Sequence, residues 1–260
     1  MIDYSFTYSD LEFFLFILVR ISAFFVSAPF FSINNVPRRY KAALATVISL
    51  LLFNVLPNHT VPEYGSIIGF EIILLKEVIA GLIIGLGANM VVSAVNLAGK
   101  VADMEIGLSM VQLFDPMTRE STGFTGTVYQ YGIMLIMFIT NLHHYVLRAF
   151  IESYTLIPIG GVHLNSDKII ATVISFLTEY VEIAFMICLP VMAAIMLLNA
   201  VLGILAKVAP QMNMFAVGIQ LKMFVGFATL IITIGLLPML SDVIFQEIKV
   251  MLTAMIQSMQ

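Results

Sequence analysis

Charge is what this chain has least of. Only 11 % of its 260 residues are Asp, Glu, Lys or Arg, where a soluble domain averages about 25 %. With a net charge of −4 and no Lys/Arg block, nucleic acid is not an expected partner. One cysteine, Cys188, excludes an intrachain disulfide, and its place in an apolar run makes it a buried thiol. The opening "MIDYSFTYSD" is acidic and lacks the basic start and small-residue cleavage site of a signal peptide, so insertion is expected to use internal segments. Asn58-His59-Thr60 has the form of a glycosylation sequon, which matters only in a glycosylating compartment. Enzyme signatures are also missing: no G-x-x-x-x-G-K-[ST], no H-E-x-x-H, no G-x-S-x-G. His143 and His144 are adjacent, about 100° apart on a helix, and make a poor metal pair. No catalysis, metal or cofactor is therefore expected, and the two histidines read as interfacial.

What is present is apolar sequence. Hydrophobic residues make up 60 % of the chain and mean hydropathy is +1.03. Four uncharged runs, Ala42–Pro62, Val78–Gly99, Ile183–Ala206 and Met223–Ser241, approach or exceed the roughly 20 residues a membrane span needs. The expected fold class is an all-α membrane protein of about six apolar helical segments. The first is Leu11–Phe31, with Arg20 in its middle; the basic turn "SINNVPRRYK" (32–41) leads to the second, Ala42 to about Leu56. The third runs from Ile67 to Asn96 or beyond, about 45 Å of helix at 1.5 Å per residue, longer than the hydrocarbon core. A short fourth covers Val128–Thr140, followed by a polar connection containing "IPIGG" (157–161). The last two are Lys168–Val208, which Pro190 should kink, and Met214–Leu240 running on toward the C-terminus. Counting Arg38, Arg39, Lys41, Lys100, Arg119 and Lys207 against Arg148, Lys168 and Lys249 favours an outside N-terminus.

Six charges sit in or beside apolar runs: Arg20, Lys76, Glu77, Glu179, Glu182 and Lys222. A central charge costs about 2.5–3.5 kcal/mol on insertion scales, so such groups must be paired or face water. Glu179 and Glu182, three apart, share a helix face. Pairing between helices is the ordinary explanation; a proton or ion path is the functional one. Gly81-x-x-x-Gly85, with Ala94 and Ala98, gives the third helix a small-residue face for close packing. Most of the seventeen methionines are gap-filling residues. Those in turns, including Met104, Met110, Met117, Met212 and Met214, either anchor loops or close around a moving chain. The stretch "GKVADMEIGLSMVQLFDP" (99–116) is too charged to span and too apolar for an ordinary solvated loop; it is expected as a loop extending to about Gly126.

Four stretches carry a family resemblance: "RISAFFVSAPFFSINNVPRRYKAALA" (20–45), "KEVIAGLIIGLGANMVVSAVNLAGKVADMEIGLSMVQLFDP" (76–116), "NLHHYVLRAFIESYTLIPIG" (141–160) and "LPVMAAIMLLNAVLGILAKVAPQMNMFAVGIQLK" (189–222). Together they resemble the flagellar biosynthesis FliR family and its virulence type III counterparts; "PQMNMF" and "IPIG" look more flagellar. The resemblance implies a subunit of a helical hetero-oligomeric export gate. That gate would be built with FliP-like and FliQ-like subunits and completed by FlhB-like and FlhA-like components, in the bacterial inner membrane at the flagellar basal body. Unfolded export substrates would pass through it. It further implies a FliP-like half (1–167) and a FliQ-like helical hairpin (168–260) turning at Pro210, Gln211 and Asn213. Much apolar surface would then meet sister subunits as well as membrane lipid, so the six segments need not be six crossings. In the family a loop corresponding to about 106–123 helps plug the channel. Here it would hold Ile106, Gly107, Met110, Leu113, Phe114, Asp115, Pro116 and Met117, with Gly107 and Pro116 shaping the loop and Met110, Leu113 and Phe114 making an apolar seal that blocks ions by dewetting. Two residues depart from the family pattern: Glu105 stands where Gln is expected, and Gln220 where Pro is expected, removing a helix break. The competing function is a secondary transporter or ion channel using Glu179, Glu182, Lys76 and Arg20.

Overall fold

The computed structural model describes residues 7–29, 31–32, 36–56, 60–109, 123–211 and 213–259. Every element among the described residues is an α-helix. In chain order these are α1 (Tyr8–Ser27), α2 (Arg38–Val55), α3 (Ile67–Ile106), α4 (Phe124–Ile139), α5 (Leu142–Leu156), α6 (Ser166–Val208), α7 (Met214–Ile234) and α8 (Leu237–Ser258). Of these, α6 and α7 are long and apolar enough to cross a membrane.

Local chemistry explains several boundaries. Thr7 donates its backbone N–H to the Asp10 carboxylate (2.9 Å), closing the start of α1. Ala28 is extended, as the residue before a proline must be, and α1 stops there. Asn213 accepts from Ala216 N–H and caps α7, which then runs unbroken through Gln220. α6 likewise continues through Pro190.

Three sequence expectations need correction. The third segment continues to Ile106, so residues 99–106 are helix, not loop; at 40 residues it is about 60 Å long. The stretch after Thr140, expected as a polar connection, forms α5. Val146, Phe150 and Tyr154 recur every four residues and are buried, so an amphipathic helix was written there. Asn141, just before α5, takes the left-handed conformation (φ 58°) that asparagine tolerates. Finally, the helix starting at Met214 does not run on: it breaks at Gly235 and Leu236. Pro238 is the cause. Its ring would collide with the carbonyl four residues earlier, which is Ile234, the last residue of α7; in the first turn of α8 the missing N–H costs nothing.

The chain forms two compact units interleaved in sequence: Met1–Met90, Asn141–Phe176 and Glu247–Gln260 in one, Val91–Thr140 and Leu177–Gln246 in the other. The core of the first is aromatic. Phe16, Phe24, Phe25 and Phe150 are buried, and the rings of Phe24 and Phe150 stack with centroids 4.1 Å apart. α3 meets α1 through its glycines: a methyl group on Gly81 would strike the Arg20 carbonyl oxygen, and one on Gly85 would strike Ser27 Oγ and the Ala28 backbone. In the second unit, Tyr129 hydroxyl and Thr233 Oγ1 share a hydrogen bond of 2.7 Å, and the Tyr180 hydroxyl donates to the Ser93 carbonyl (3.4 Å).

Gly81→Ala should therefore cost about 1–3 kcal/mol, the usual range for overpacking, because the obstacle is backbone. Gly203→Ala, at a helical site with nothing within 4 Å, should be neutral or stabilising, since alanine is the better helix former. Thermal unfolding of the purified chain in detergent compares the two; equal midpoints would show that the α1–α3 contact is not tight.

Candidate functional site

Arg20 and Glu77 form an ion pair in which both side chains are 0 % exposed. Arg20 Nε donates to Glu77 Oε2. The pair is enclosed by further partners: Arg20 Nη1 donates to the Ile157 carbonyl at 3.0 Å, and Gly160 N–H donates to Glu77 Oε1 at 2.9 Å. The guanidinium carbon lies 4.4 Å from the Tyr154 ring centroid, a cation–π contact. Tyr154 in turn donates its hydroxyl to the Ile17 carbonyl (3.3 Å). Arg20 Nη2 is buried with no hydrogen-bond partner among the described residues. Gly160 has φ +79°, and a side chain there would strike Pro62, so only glycine presents its N–H to Glu77 in this way. Outside the apolar runs, Tyr64 donates to the Glu12 carboxylate at 2.5 Å, and that acceptor holds its phenol above the ordinary tyrosine value.

The other sequence-selected charges are placed differently. Lys76 and Lys222 are half-buried, and Glu179 and Glu182 are exposed on the chain. Glu77, adjacent to Lys76, gives its carboxylate to Arg20 instead. Ala94 and Ala98 are fully buried. Pro210 and Gln211 form the turn after α6, and Asn213 caps α7.

The second unit holds the root of segment 107–123. Asp103, in the last turn of α3, is buried and accepts from both the backbone N–H (3.2 Å) and the hydroxyl (2.5 Å) of Thr125, in the first turn of α4. Gly99 and Gly126 touch so closely that a methyl group on Gly99 would overlap Gly126. Ile106 is 0 % exposed, and a methyl group on Gly226 would meet its side chain at 2.6 Å. Gly107 follows with φ +93°. The carboxylate thus caps α4 and ties the two ends of the segment together. Met110, Leu113, Phe114, Asp115, Pro116 and Met117 lie outside the described residues.

The profile of the bacterial export proteins, family 1, matches residues 11–248 of this chain. The chain belongs to that family. Its curated relatives include the flagellar biosynthetic protein FliR of Bacillus subtilis, 32 % identical over 229 residues, covering 86 % of each chain. The protein of the same name from Escherichia coli K12 is 27 % identical over 236 residues, 89 % of this chain and 87 % of the relative. That of Aquifex aeolicus is 24 % identical over 242 residues, 92 % of both.

Sequence reasoning selected both members of the ion pair without pairing them, and it missed Tyr154, Gly160, Asp103 and Thr125. The signal for Gly160 was present in "IPIGG", where a turn-forming glycine follows a proline. Asp103 is three residues from the helix end and carried no comparable mark.

Substitutions at both sites test these arrangements. Arg20→Ala or Glu77→Ala strands a buried charge and should cost about 3–5 kcal/mol, whereas Glu179→Gln should change thermal stability little; similar losses for all three would discount the pair. Asp103→Ala strands two Thr125 donors at about 1–3 kcal/mol, while Asp103→Asn keeps an acceptor. Hydrogen exchange at 124–127 should accelerate in the alanine variant and much less in the asparagine variant; unchanged exchange in both would remove the tie.

Proposed function

We propose that this chain is a non-enzymatic subunit of the type III, flagellar protein export gate. The coarser part rests on family membership: it is a membrane component of the flagellar export apparatus. The finer part is that, with FliP-like and FliQ-like subunits and alongside FlhB-like and FlhA-like components, it forms the channel by which unfolded substrates cross the bacterial inner membrane at the flagellar basal body. The match across residues 11–248 is the observation that carries this reading.

The exposed surface supports it. Met196, Leu197, Val201, Ile204 and Val208 on α6 and Phe224, Ile231 and Ile232 on α7 are all exposed, far more apolar surface than a soluble monomer presents. A C-terminal hairpin (168–260) is consistent with Gly218 of α7 approaching Leu202 of α6 across the turn at Pro210 and Gln211. The 1–167 half completes the proposed division. The segment 106–123 is proposed as the pore-closing loop. Its apolar sequence suits a seal, and the Asp103–Thr125 tie with buried Ile106 gives it a firm base. A secondary transporter or ion channel using Glu179, Glu182, Lys76 and Arg20 as a relay has less support, because Arg20 is already committed to Glu77.

Native mass of the tagged chain, purified in mild detergent from its host, should show one copy with several copies of two small apolar partners. Deleting 110–120 should then increase ion leak through the reconstituted complex. A lone chain or homo-oligomer would overturn the gate reading; an unchanged leak would overturn the loop's role alone.

A further inference from the structure

We infer that α2 is a binding face for an anionic phospholipid, with the headgroup at Arg38, Arg39 and Lys41 and an acyl chain along the helix below them. Three cations occupy the first turn of α2, which has no acidic residue. Arg38 and Arg39 are exposed and Lys41 is half-buried, and no ion pair joins any of them to a carboxylate among the described residues. A helix start already carries partial positive charge. Three added cations strengthen that positive end and favour an external anion there.

The rest of the helix says what kind of anion. Tyr40, Leu44, Val47, Leu51 and Val55 recur at spacings of four, three, four and four, forming one face. Tyr40 is 70 % and Val55 72 % exposed, with the three between them exposed as well. This stripe lies roughly opposite Ala45, Ser49 and Leu52, through which α2 packs inward. From Leu44 to Val55 the helix rises about 16 Å, close to the depth of one leaflet, half of a roughly 30 Å hydrocarbon core. With three cations among its 18 residues, α2 is not among the helices long and apolar enough to cross a membrane, and its rise suits one leaflet. Tyr40 sits at the junction of charge and hydrocarbon, where aromatic residues collect at membrane interfaces. A free phosphate would satisfy the cations and leave the stripe bare. A zwitterionic lipid would cover the stripe and leave the cations unmatched. Of these three, only an anionic amphiphile satisfies both.

The test is native mass spectrometry of the full chain, with any partners that co-purify, titrated with dioleoyl phosphatidylglycerol or dioleoyl phosphatidylcholine. Each cation near an anionic surface contributes about fivefold to binding. The wild type should therefore retain phosphatidylglycerol more than about tenfold over phosphatidylcholine, and the preference should shrink as salt is raised. The triple variant Arg38→Gln, Arg39→Gln, Lys41→Gln should lose it. Independently of that variant's folding, a photocrosslinker at Val47 of the otherwise wild-type chain in membranes should label lipid. Equal retention of the two lipids, displacement of phosphatidylglycerol by equimolar inorganic phosphate, or a Val47 crosslink to polypeptide would each overturn the inference; the last would assign this face to a neighbouring subunit.

Discussion

The first unit depends on one ion pair taken wholly out of water. Arg20 and Glu77 would each be prohibitive alone in an apolar interior, and together they are tolerable only because their remaining hydrogen-bonding capacity is largely met. The partners that meet it come from separated parts of the chain: the Ile157 carbonyl, the Gly160 N–H and the Tyr154 ring. The pair consequently orients α1 against α3 and draws the 157–161 turn onto both. Van der Waals packing would bring these helices together in many registers. Burying two charges leaves few acceptable ones.

Close approach makes this geometry possible. Gly81 lies one helical turn beyond Glu77 and lets α3 reach the Arg20 carbonyl, so the residue that permits contact and the residue that forms the bond share a face of the same helix. The second unit uses the same combination. Gly99 meets Gly126, and one turn later Asp103 accepts from Thr125. Small residues set the distance and a buried polar contact sets the register, the pairing expected where apolar surfaces alone provide little specificity. The second arrangement holds the two ends of the segment proposed to close the pore.

Much of the architecture was legible along the chain. Long uncharged runs announced helices; the amphipathic period in 142–156 and the break at Pro238 were present in the sequence, although 142–156 was read as a connection and the last helix was run through Pro238. The charged helical end 99–106 was harder. Asp103 and Glu105 argued against an apolar span, and nothing local distinguished an exposed carboxylate from one buried under Thr125. Arg20 and Glu77 were recognisable as costly charges, yet 57 residues separate them, and each had other candidate partners. The exposed positions of Glu179 and Glu182 were equally invisible, because helical period shows that they share a face but not what that face meets.

Composition and spacing by themselves determined that this chain is helical, membrane-associated and equipped with small-residue faces, because those properties follow from transfer energies and the 3.6-residue period. The family came separately, from the resemblance of four long stretches and the profile match over residues 11–248. Only the tertiary structure decided that Arg20 belongs to Glu77, that Gly160 serves a carboxylate 83 residues away, and that Asp103 closes the root of 107–123. The physical reason is that a buried charge or donor must be satisfied somewhere, and the partner is chosen by three-dimensional proximity, which distance along the chain does not encode.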